Sequence, residues 1–240
     1  MPVPDSAKTI AVLQPGYLPW LGFFDQMANS DVFVIYDDVQ FDKHGWRNRN
    51  RIKSLAGPHW LTVPVLHSGK HSPANNAIQI DNTQSWARKH LGSIRQFYNH
   101  APYLARYLPE IEELLQRRWT LLIDLDLALI QLLARWLGIE RPLLRASVLA
   151  LPGGQSERLL KHCLHFAATR YLSGSAARDY LDVALFARHG IEVVWQDYRH
   201  PVYPQLHGPF VSHLSALDLL LNCGEQSRSV LLSNTSPSIS

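Results

Sequence analysis

The segment "LQPGYLPWLGFFD", Leu13 to Asp25, joins an apolar run to a helix-like stretch through a loop rich in proline and aromatic residues. The preceding run "TIAVL", Thr9 to Leu13, is typical of a buried strand, and Leu21 to Ala28 of a short helix. A second apolar run, "VFVIY" from Val32 to Tyr36, follows at once. A strand, a helix and a strand in this order favour parallel pairing through a right-handed crossover. The segment therefore predicts the start of an α/β sheet.

The rest of the chain extends this pattern and predicts an α/β fold. Further strands are predicted at His59 to Val65, Ala77 to Ile80, a short run at Tyr171 and Ile191 to Trp195. Helices are predicted at Ser85 to Tyr98, Tyr103 to Gln116, Thr120 to Leu137, Ser156 to Ala168 and Ala176 to Arg188, the last ended by Gly190. We expect a mostly parallel, three-layer sheet contributed by both ends of the chain, with a helical insertion at about 85–143. The prediction is one domain over 1–226 and a flexible, serine-rich tail over 227–240.

Composition excludes several classes of protein. The chain has 240 residues, of which 46% are hydrophobic, so it can bury a substantial core. The start "MPVPDSAK" lacks a basic region, and the most apolar stretch, from Leu121, is interrupted by charged residues, so neither an export signal nor a membrane span is predicted. Cys163 and Cys223 form no metal-binding or disulfide pattern. The net charge of +3 argues against nucleic acid as a partner, and the expected location is the cytoplasm.

The proline-rich loop, Gln14 to Trp20, leaves the carboxyl end of the first predicted strand. Ligands of open α/β sheets bind at that edge. Prolines restrict the backbone and aromatic rings offer stiff surfaces, so the loop can present a shaped pocket wall with little loss of entropy. Gln14 and Tyr17 are predicted to bind substrate, whereas Phe23 and Phe24 are predicted to lie in the core.

Two carboxylates, Asp37 and Asp38, follow the second predicted strand. Adjacent residues of a strand point to opposite faces, so the pair cannot form a facing catalytic dyad while the strand continues. One carboxylate is expected to face a ligand while the other caps a turn, and Asp37 is the catalytic candidate. The alternative is that both are ordinary turn residues.

The segment "HGWRNRNRIK", residues 44–53, is rich in cations. In an extended conformation, Arg47, Arg49, Arg51 and Lys53 would share one face, and Trp46, Asn48, Asn50 and Ile52 the other. Guanidinium groups suit bidentate binding of phosphate or carboxylate, so this stripe is the best candidate for holding an activated substrate. A solvated basic face is the alternative, and a helix would bring only Arg47 and Arg51 together.

Three further segments resemble ligand loops. In "GGQSERLLKHC" glycines precede a helix with Ser156 as predicted N-cap and Arg158 in the first turn, a natural anion site that lacks the P-loop pattern. In "YLSGSAARDYL" Ser173 and Gly174 would let a ligand approach the backbone closely. In "YRHPVYPQ" His200 is the candidate general base, with a plain surface histidine as the alternative. In the same segment, Tyr203 and Gln205 are predicted to orient the substrate.

Taken together, these stretches resemble the WbqC-like protein family. The resemblance rests on "QPGYLPWLGFFDQMANSDVFVIYDDVQFDKHGWRNRNRIK", "ERLLKHC", "YLSGSAARDYLD", "HPVYPQ" and "FVSHLSALDLLLNCG", in this order, over about residues 10–224. It implies a role in bacterial surface-polysaccharide assembly, including O-antigen and amino-sugar pathways. The residues at its motif positions are Gln14, Tyr17, Trp46, Asn48, Arg49, Ser173, Gly174, Tyr180, His200, Tyr203, Gln205 and Asp218.

The hypothesis that follows is a transferase that adds an acyl or aminoacyl group to the amine of a nucleotide-linked amino sugar. The basic stripe would hold the diphosphate, Tyr17 and Trp46 would stack on base or sugar, and His200 would deprotonate the amine. The donor would be a coenzyme A thioester or a carrier-bound group, and no metal is required. The alternatives are a non-catalytic ligand-binding or scaffold protein and, least favoured by the charge, a nucleic-acid binder.

Overall fold

The computed structural model describes residues 7–43, 45–66 and 73–233. In chain order the elements are β1 (Thr9–Leu13), α1 (Leu21–Ala28), β2 (Val32–Ile35), β3 (Arg49–Ser54), β4 (Gly57–Thr62), β5 (Val65–Leu66), β6 (Gln79–Ile80), α2 (Trp86–Phe97), α3 (Leu104–Gln116), α4 (Leu122–Trp136), β7 (Leu144–Arg145), α5 (Ala146–Leu149), α6 (Gln155–His165), β8 (Arg170–Gly174), α7 (Val183–Arg188), β9 (Glu192–Gln196), α8 (Ala216–Cys223) and α9 (Ser227–Leu232). Short 3₁₀ turns lie at Asn75–Ala77, Ser175–Asp179 and Gly224–Gln226.

A five-stranded sheet in the order β7-β2-β1-β8-β9 forms the centre of the fold. Each neighbouring pair is parallel, and β1 lies in the middle, where Ile10 pairs with Val32 of β2 and with Tyr171 of β8. The sheet is therefore parallel and draws strands from both ends of the chain, as the strand-helix-strand pattern predicts.

Side chains alternate between the two faces of this sheet and build a core on each. Ala11 belongs to a large cluster with apolar residues of α1 to α4, α8 and α9. Ile10 and Val12 belong to a second cluster with residues of α5, α6 and α7. The sheet is thus the middle of three layers, and the predicted α/β class is confirmed.

The predicted strand from His59 to Val65 is divided in the structure. β4 ends at Thr62 and pairs with β3 as an antiparallel hairpin, while β5 pairs with β6. Pro64 lies between β4 and β5 and has no N–H to continue a ladder. Neither pair joins the central sheet.

Two predicted helix boundaries differ for reasons of capping. Gly154, and not Ser156, is the N-cap of α6, because the Ser156 hydroxyl accepts a hydrogen bond from the Asp182 backbone N–H at 3.0 Å. The predicted helix from Ala176 begins only at α7, where the Asp182 carboxylate caps the Leu185 N–H at 3.0 Å. Gly190 follows α7 with φ of 70°, as a C′ glycine should.

The first residues of the predicted tail are helical. Residues 227–232, predicted as the start of the flexible tail, form α9, and Leu231 is buried. Ser233 is the last described residue, and 234–240 of the predicted tail lie outside the described residues. Within the described ranges, no helix has both the length and the apolar character that crossing a bilayer requires.

Candidate functional site

A cavity of about 870 Å³ opens at the carboxyl edge of the parallel sheet. Gln14 follows β1, Tyr36 follows β2, and Ser173 and Gly174 end β8, and all four residues line it. The volume lies within the range of natural small-molecule sites, and this edge is where such sites occur in open α/β sheets. We therefore describe this cavity as the candidate active site.

The proline-rich loop forms one wall and is held rigidly against the start of the β3–β4 hairpin. The Tyr17 backbone N–H donates to the Arg47 carbonyl at 3.0 Å, and the Arg47 guanidinium donates to the Pro15 carbonyl at 2.6 Å. The Asn50 amide donates to the carbonyl of Leu18, which has φ of 44°. These bonds satisfy backbone polar groups of the loop that have no partner within a helix or a strand.

The end of the cavity beside the hairpin, which we call the hairpin end, is aromatic and basic. It is lined by Trp20, Trp46, Arg47 and His213. The His213 ring stacks on Trp20 with centroids 5.2 Å apart and planes 21° apart, and Trp46 is 43% exposed. Flat, partly exposed rings of this kind suit stacking on a planar ring or a sugar face.

The opposite end, which we call the α6 end, is lined by Arg158, Tyr36, Gly153, Gln155 and Tyr180. The Arg158 guanidinium lies 5.1 Å above the Tyr36 ring and forms an ion pair with Asp38. Burial raises the pKa of Tyr36, so its hydroxyl is a neutral hydrogen-bonding group at pH 7. This end of the cavity therefore offers a fixed cation to a ligand.

The floor contains a chain of amide hydrogen bonds. Gln26 lines the cavity and donates through Nε2 to Gln196 Oε1 at 2.6 Å. The Gln196 Nε2 in turn donates to Asp25 Oδ2 at 2.5 Å and to the Gly22 carbonyl at 2.8 Å. The Asp25 carboxylate and the Gly22 carbonyl are both acceptors, so the amide nitrogen of Gln196 must face them. Its amide oxygen therefore faces Gln26, which must present its own amide nitrogen. Burial raises the pKa of Asp25 to about 6.

Two of the predicted substrate-binding residues lie behind the cavity wall. Tyr17 is fully buried, and its hydroxyl hydrogen-bonds His90 Nδ1 at 2.9 Å. Asn48 donates through its amide to the Val63 carbonyl at 2.8 Å. Both side chains tie the wall to the surrounding structure, and neither lines the cavity.

The cations of the predicted stripe alternate along β3, but their side chains have different surroundings. His44 lies outside the described residues, and Arg47 precedes β3 and lines the cavity. On β3 the Arg49 and Arg51 guanidinium groups lie 4.7 and 5.5 Å from the Trp60 ring centroid. Lys53 is buried, and its ammonium donates to the Pro209 carbonyl at 2.6 Å. The four cations therefore differ in burial and contacts, and of the four Arg47 lines the cavity. Binding of an anion by this stripe stays a prediction.

Neither predicted catalytic residue is among those that line the cavity. Asp37 is fully buried and accepts from Arg145 Nε at 2.7 Å and from the Ser147 N–H and hydroxyl at 2.9 and 2.7 Å. The His200 ring lies 5.2 Å from His213, which does line the cavity. Burial lowers the pKa of His200, so its imidazole is neutral at pH 7.

The Tyr203 and Gln205 side chains serve a buried carboxylate. Asp218 Oδ2 accepts from the Tyr203 hydroxyl at 2.9 Å and from Gln205 Nε2 at 2.8 Å, while Oδ1 accepts from Tyr98 at 2.6 Å. Asp218 has no exposed surface, so these donors satisfy a group that would otherwise be costly to bury. The two residues thus anchor the 198–205 segment to α8.

The structure brings together seven of the residues predicted from the sequence: Gln14, Trp46, Arg47, Arg158, Ser173, Gly174 and Tyr180. Sequence reasoning missed Tyr36, Gln26 and His213 as lining residues. Tyr36 meets the criterion that identified Gln14, because it too has a polar group on a side chain next to the end of a strand. Gln26 is a polar residue on the buried face of α1, while no local pattern places His213 beside Trp20.

Chemically, the cavity can bind an anion and a flat ring at once, through two arginines and several aromatic side chains. Among the described residues, no three or more His, Cys, Asp or Glu side chains converge as a metal site would require.

Comparison with known proteins identifies the family. A model of the WbqC-like protein family matches residues 14–230. The chain belongs to the WbqC-like protein family. A protein of Mycobacterium tuberculosis (strain ATCC 25618 / H37Rv), named Uncharacterized protein Rv1507c, is 38% identical over 221 residues, which are 91% of this WbqC-like chain and 95% of the relative. No solved structure matches. The family match spans both ends of the cavity.

Proposed function

We propose that this WbqC-like protein is a transferase of bacterial surface-polysaccharide biosynthesis, including O-antigen and lipopolysaccharide. Its substrate would be a nucleotide-activated amino sugar, whose amine receives an acyl or aminoacyl group. The observation that carries the proposal is one cavity of about 870 Å³ that combines aromatic planes with two arginines at the ligand edge of the sheet. Aromatic planes suit a nucleobase or sugar, and guanidinium groups suit a diphosphate.

The proposed reaction forms an amide. The amine nitrogen attacks the acyl carbon, and an N–C bond forms as the bond from that carbon to the donor's sulfur or carrier oxygen breaks. The proton leaving the nitrogen passes to the neutral imidazole of His200, whose ring lies 5.2 Å from that of the cavity-lining His213, and then to the leaving group. Asp37 is assigned a positioning role, because its hydrogen bonds hold β7 and α5 beside β2.

One observation favours a second candidate, a non-catalytic binding protein for the same ligand. Both predicted catalytic side chains, His200 and Asp37, lie outside the cavity lining. This candidate predicts tight binding without turnover and an unchanged affinity in His200→Ala.

The first test measures thermal stabilisation by uridine- and thymidine-diphosphate amino sugars. A ligand at 100 times its Kd stabilises the protein by about 2.7 kcal/mol, which is readily seen as a rise in Tm. Trp46→Ala is expected to lose this shift. Trp60→Ala is the matched control, since Trp60 is also 43% exposed and lies 5.1 Å from Trp46 but does not line the cavity. Absence of a shift with every nucleotide amino sugar would contradict the proposal.

Turnover is tested by mass spectrometry after incubation with the stabilising sugar and coenzyme A thioesters or aminoacyl donors. The transferase predicts a product heavier by one acyl or aminoacyl group, and a loss of product in His200→Ala with ligand affinity retained. Binding without product under every donor would favour the second candidate.

A further inference from the structure

Arg158 is held at the α6 end of the cavity by contacts on two sides. Its guanidinium forms an ion pair with Asp38 and lies over the Tyr36 ring. The two side chains of the ion pair are 16% and 18% exposed, so the pair is largely removed from bulk water. A guanidinium fixed in this way loses little entropy when it binds an anion.

The amino end of α6 opens at the same place. Its N-cap is Gly154, which has no side chain to satisfy the first-turn N–H groups. Gly153, with φ of 128°, and Gln155 both line the cavity. The first turn of this eleven-residue helix carries the acidic Glu157 as well as Arg158, so a phosphate would be bound through the Arg158 guanidinium and the backbone N–H groups of the amino end.

Three buried polar atoms on or next to the cavity lining have no hydrogen-bond partner in the described part of the chain. Gln26, which lines the cavity and is only 5% exposed, has a buried Oε1 with no hydrogen-bond partner in the described part of the chain. Arg158 Nε and Asp38 Oδ1 are in the same condition. Buried polar atoms are almost always satisfied in proteins, so unpaired atoms at a cavity point to a ligand. Arg158 Nε is a donor and suits a phosphate oxygen, whereas Gln26 Oε1 is an acceptor and suits a hydroxyl or amine donor of the same ligand.

The neighbouring ion pair shows the contrast. Asp37 precedes Asp38, and its carboxylate is satisfied by Arg145 and by two donors of Ser147. Arg145 does not line the cavity. In the Asp37–Arg145 pair the carboxylate is satisfied by its hydrogen bonds. In the Asp38–Arg158 pair Asp38 Oδ1 and Arg158 Nε have no partner in the described part of the chain, and Arg158 lines the cavity.

We infer that Arg158 and the amino end of α6 form the diphosphate subsite of this cavity, with Asp38 as the residue that positions the guanidinium. The identity of the diphosphate as that of a nucleotide sugar rests on the proposed function. In this inference the subsite is the main anion-binding element of the cavity, and Arg47 of the predicted stripe lines the other end.

The experiment measures binding by calorimetry to uridine, uridine monophosphate, uridine-diphosphate glucosamine and inorganic pyrophosphate. The wild-type affinity should rise at each added phosphate. Arg158→Gln should lower the affinity for the diphosphate ligands by about tenfold or more, since a charge-assisted hydrogen bond is lost, while leaving uridine binding unchanged. Arg170→Gln is the matched control, since Arg170 pairs with Glu192 at a half-exposed position and does not line the cavity, and it should retain the wild-type affinities for all four ligands.

The outcomes separate this inference from the proposed function. Undiminished pyrophosphate and diphosphate binding in Arg158→Gln, with its fold confirmed by circular dichroism, would overturn the subsite. Pyrophosphate binding that depends on Arg158, without binding of any nucleotide sugar, would support the subsite and overturn the proposed function. Failure of the wild type to bind pyrophosphate or any of the nucleotides would overturn the subsite as well.

Discussion

Buried carboxylates show how one residue type takes different roles at the scale of single residues. Asp37 and Asp218 each accept three hydrogen bonds in the interior and act as structural anchors. Asp25, at the floor of the cavity, accepts from Gln196 and from Asn29 at 2.9 Å. Burial outweighs these two donors and raises the pKa of Asp25 to about 6. The charge of this residue therefore changes within a pH range accessible to experiment.

Asp25→Asn is expected to remove a pH dependence of stability. A folded-state pKa above the unfolded value means that the folded protein binds the proton more tightly, so this stabilisation is present at low pH and is lost as pH rises from about 4 to about 6. Relative to the variant, the wild type should lose about 2 kcal/mol of unfolding free energy between pH 4 and pH 7. Urea denaturation at both pH values measures this. Asp124→Asn, at an exposed position, is the control. If the free energies of unfolding of the wild type and Asp25→Asn differed by the same amount at both pH values, the expectation would be contradicted.

At the scale of elements, local sequence specifies where strands and helices lie better than how they end. The predicted β1 and α1 coincide with the structure, because apolar periodicity and turn residues are local signals. The start of α6 and the gap before α7 depend on the Ser156 and Asp182 contact between two elements. The helix α9 escapes prediction because its serine-rich sequence resembles disorder, while its stability comes from docking Leu231 into the core.

Leu231→Ala tests the docking of α9. Removing a fully buried leucine side chain should lower the free energy of unfolding by about 2–5 kcal/mol through lost burial and the cavity left behind. Ser229→Ala, on the exposed side of the same helix, should change it by no more than about 0.5 kcal/mol. Denaturant titration compares the two variants. Equal, small effects would mean that α9 does not contribute to the core.

At the scale of the whole molecule, the candidate site exists because distant parts of the chain meet at one sheet edge. The β1–β8 pairing brings the proline-rich loop beside the 171–181 segment, and α6 and the hairpin close the two ends. Each wall belongs to a different layer or loop, so the cavity is a property of the assembled sheet. A ligand that fills it should restrain both halves of the chain together.

Hydrogen exchange measured with and without uridine-diphosphate glucosamine tests this joint restraint. Peptides covering 13–24 and 171–181 should both exchange more slowly in the presence of the ligand, since they line the same cavity. The α3 helix, Leu104–Gln116, lies away from the cavity lining and should keep its exchange rate. Slowing confined to one of the two peptides would show that the ligand binds elsewhere.

The sequence by itself determined the α/β class, the main strands and helices, and the sheet edge at which the cavity lies, because these follow from local periodicity and from the geometry of parallel strands. Only the tertiary structure decided which charged residues face the cavity. Arg47 and Arg158 line it, whereas Lys53 is bound by carbonyl groups and Asp37 is satisfied by Arg145 and Ser147. The role of an ionisable side chain depends on its burial and on partners from remote segments, such as Arg145, 108 residues from Asp37, and no local pattern encodes these contacts.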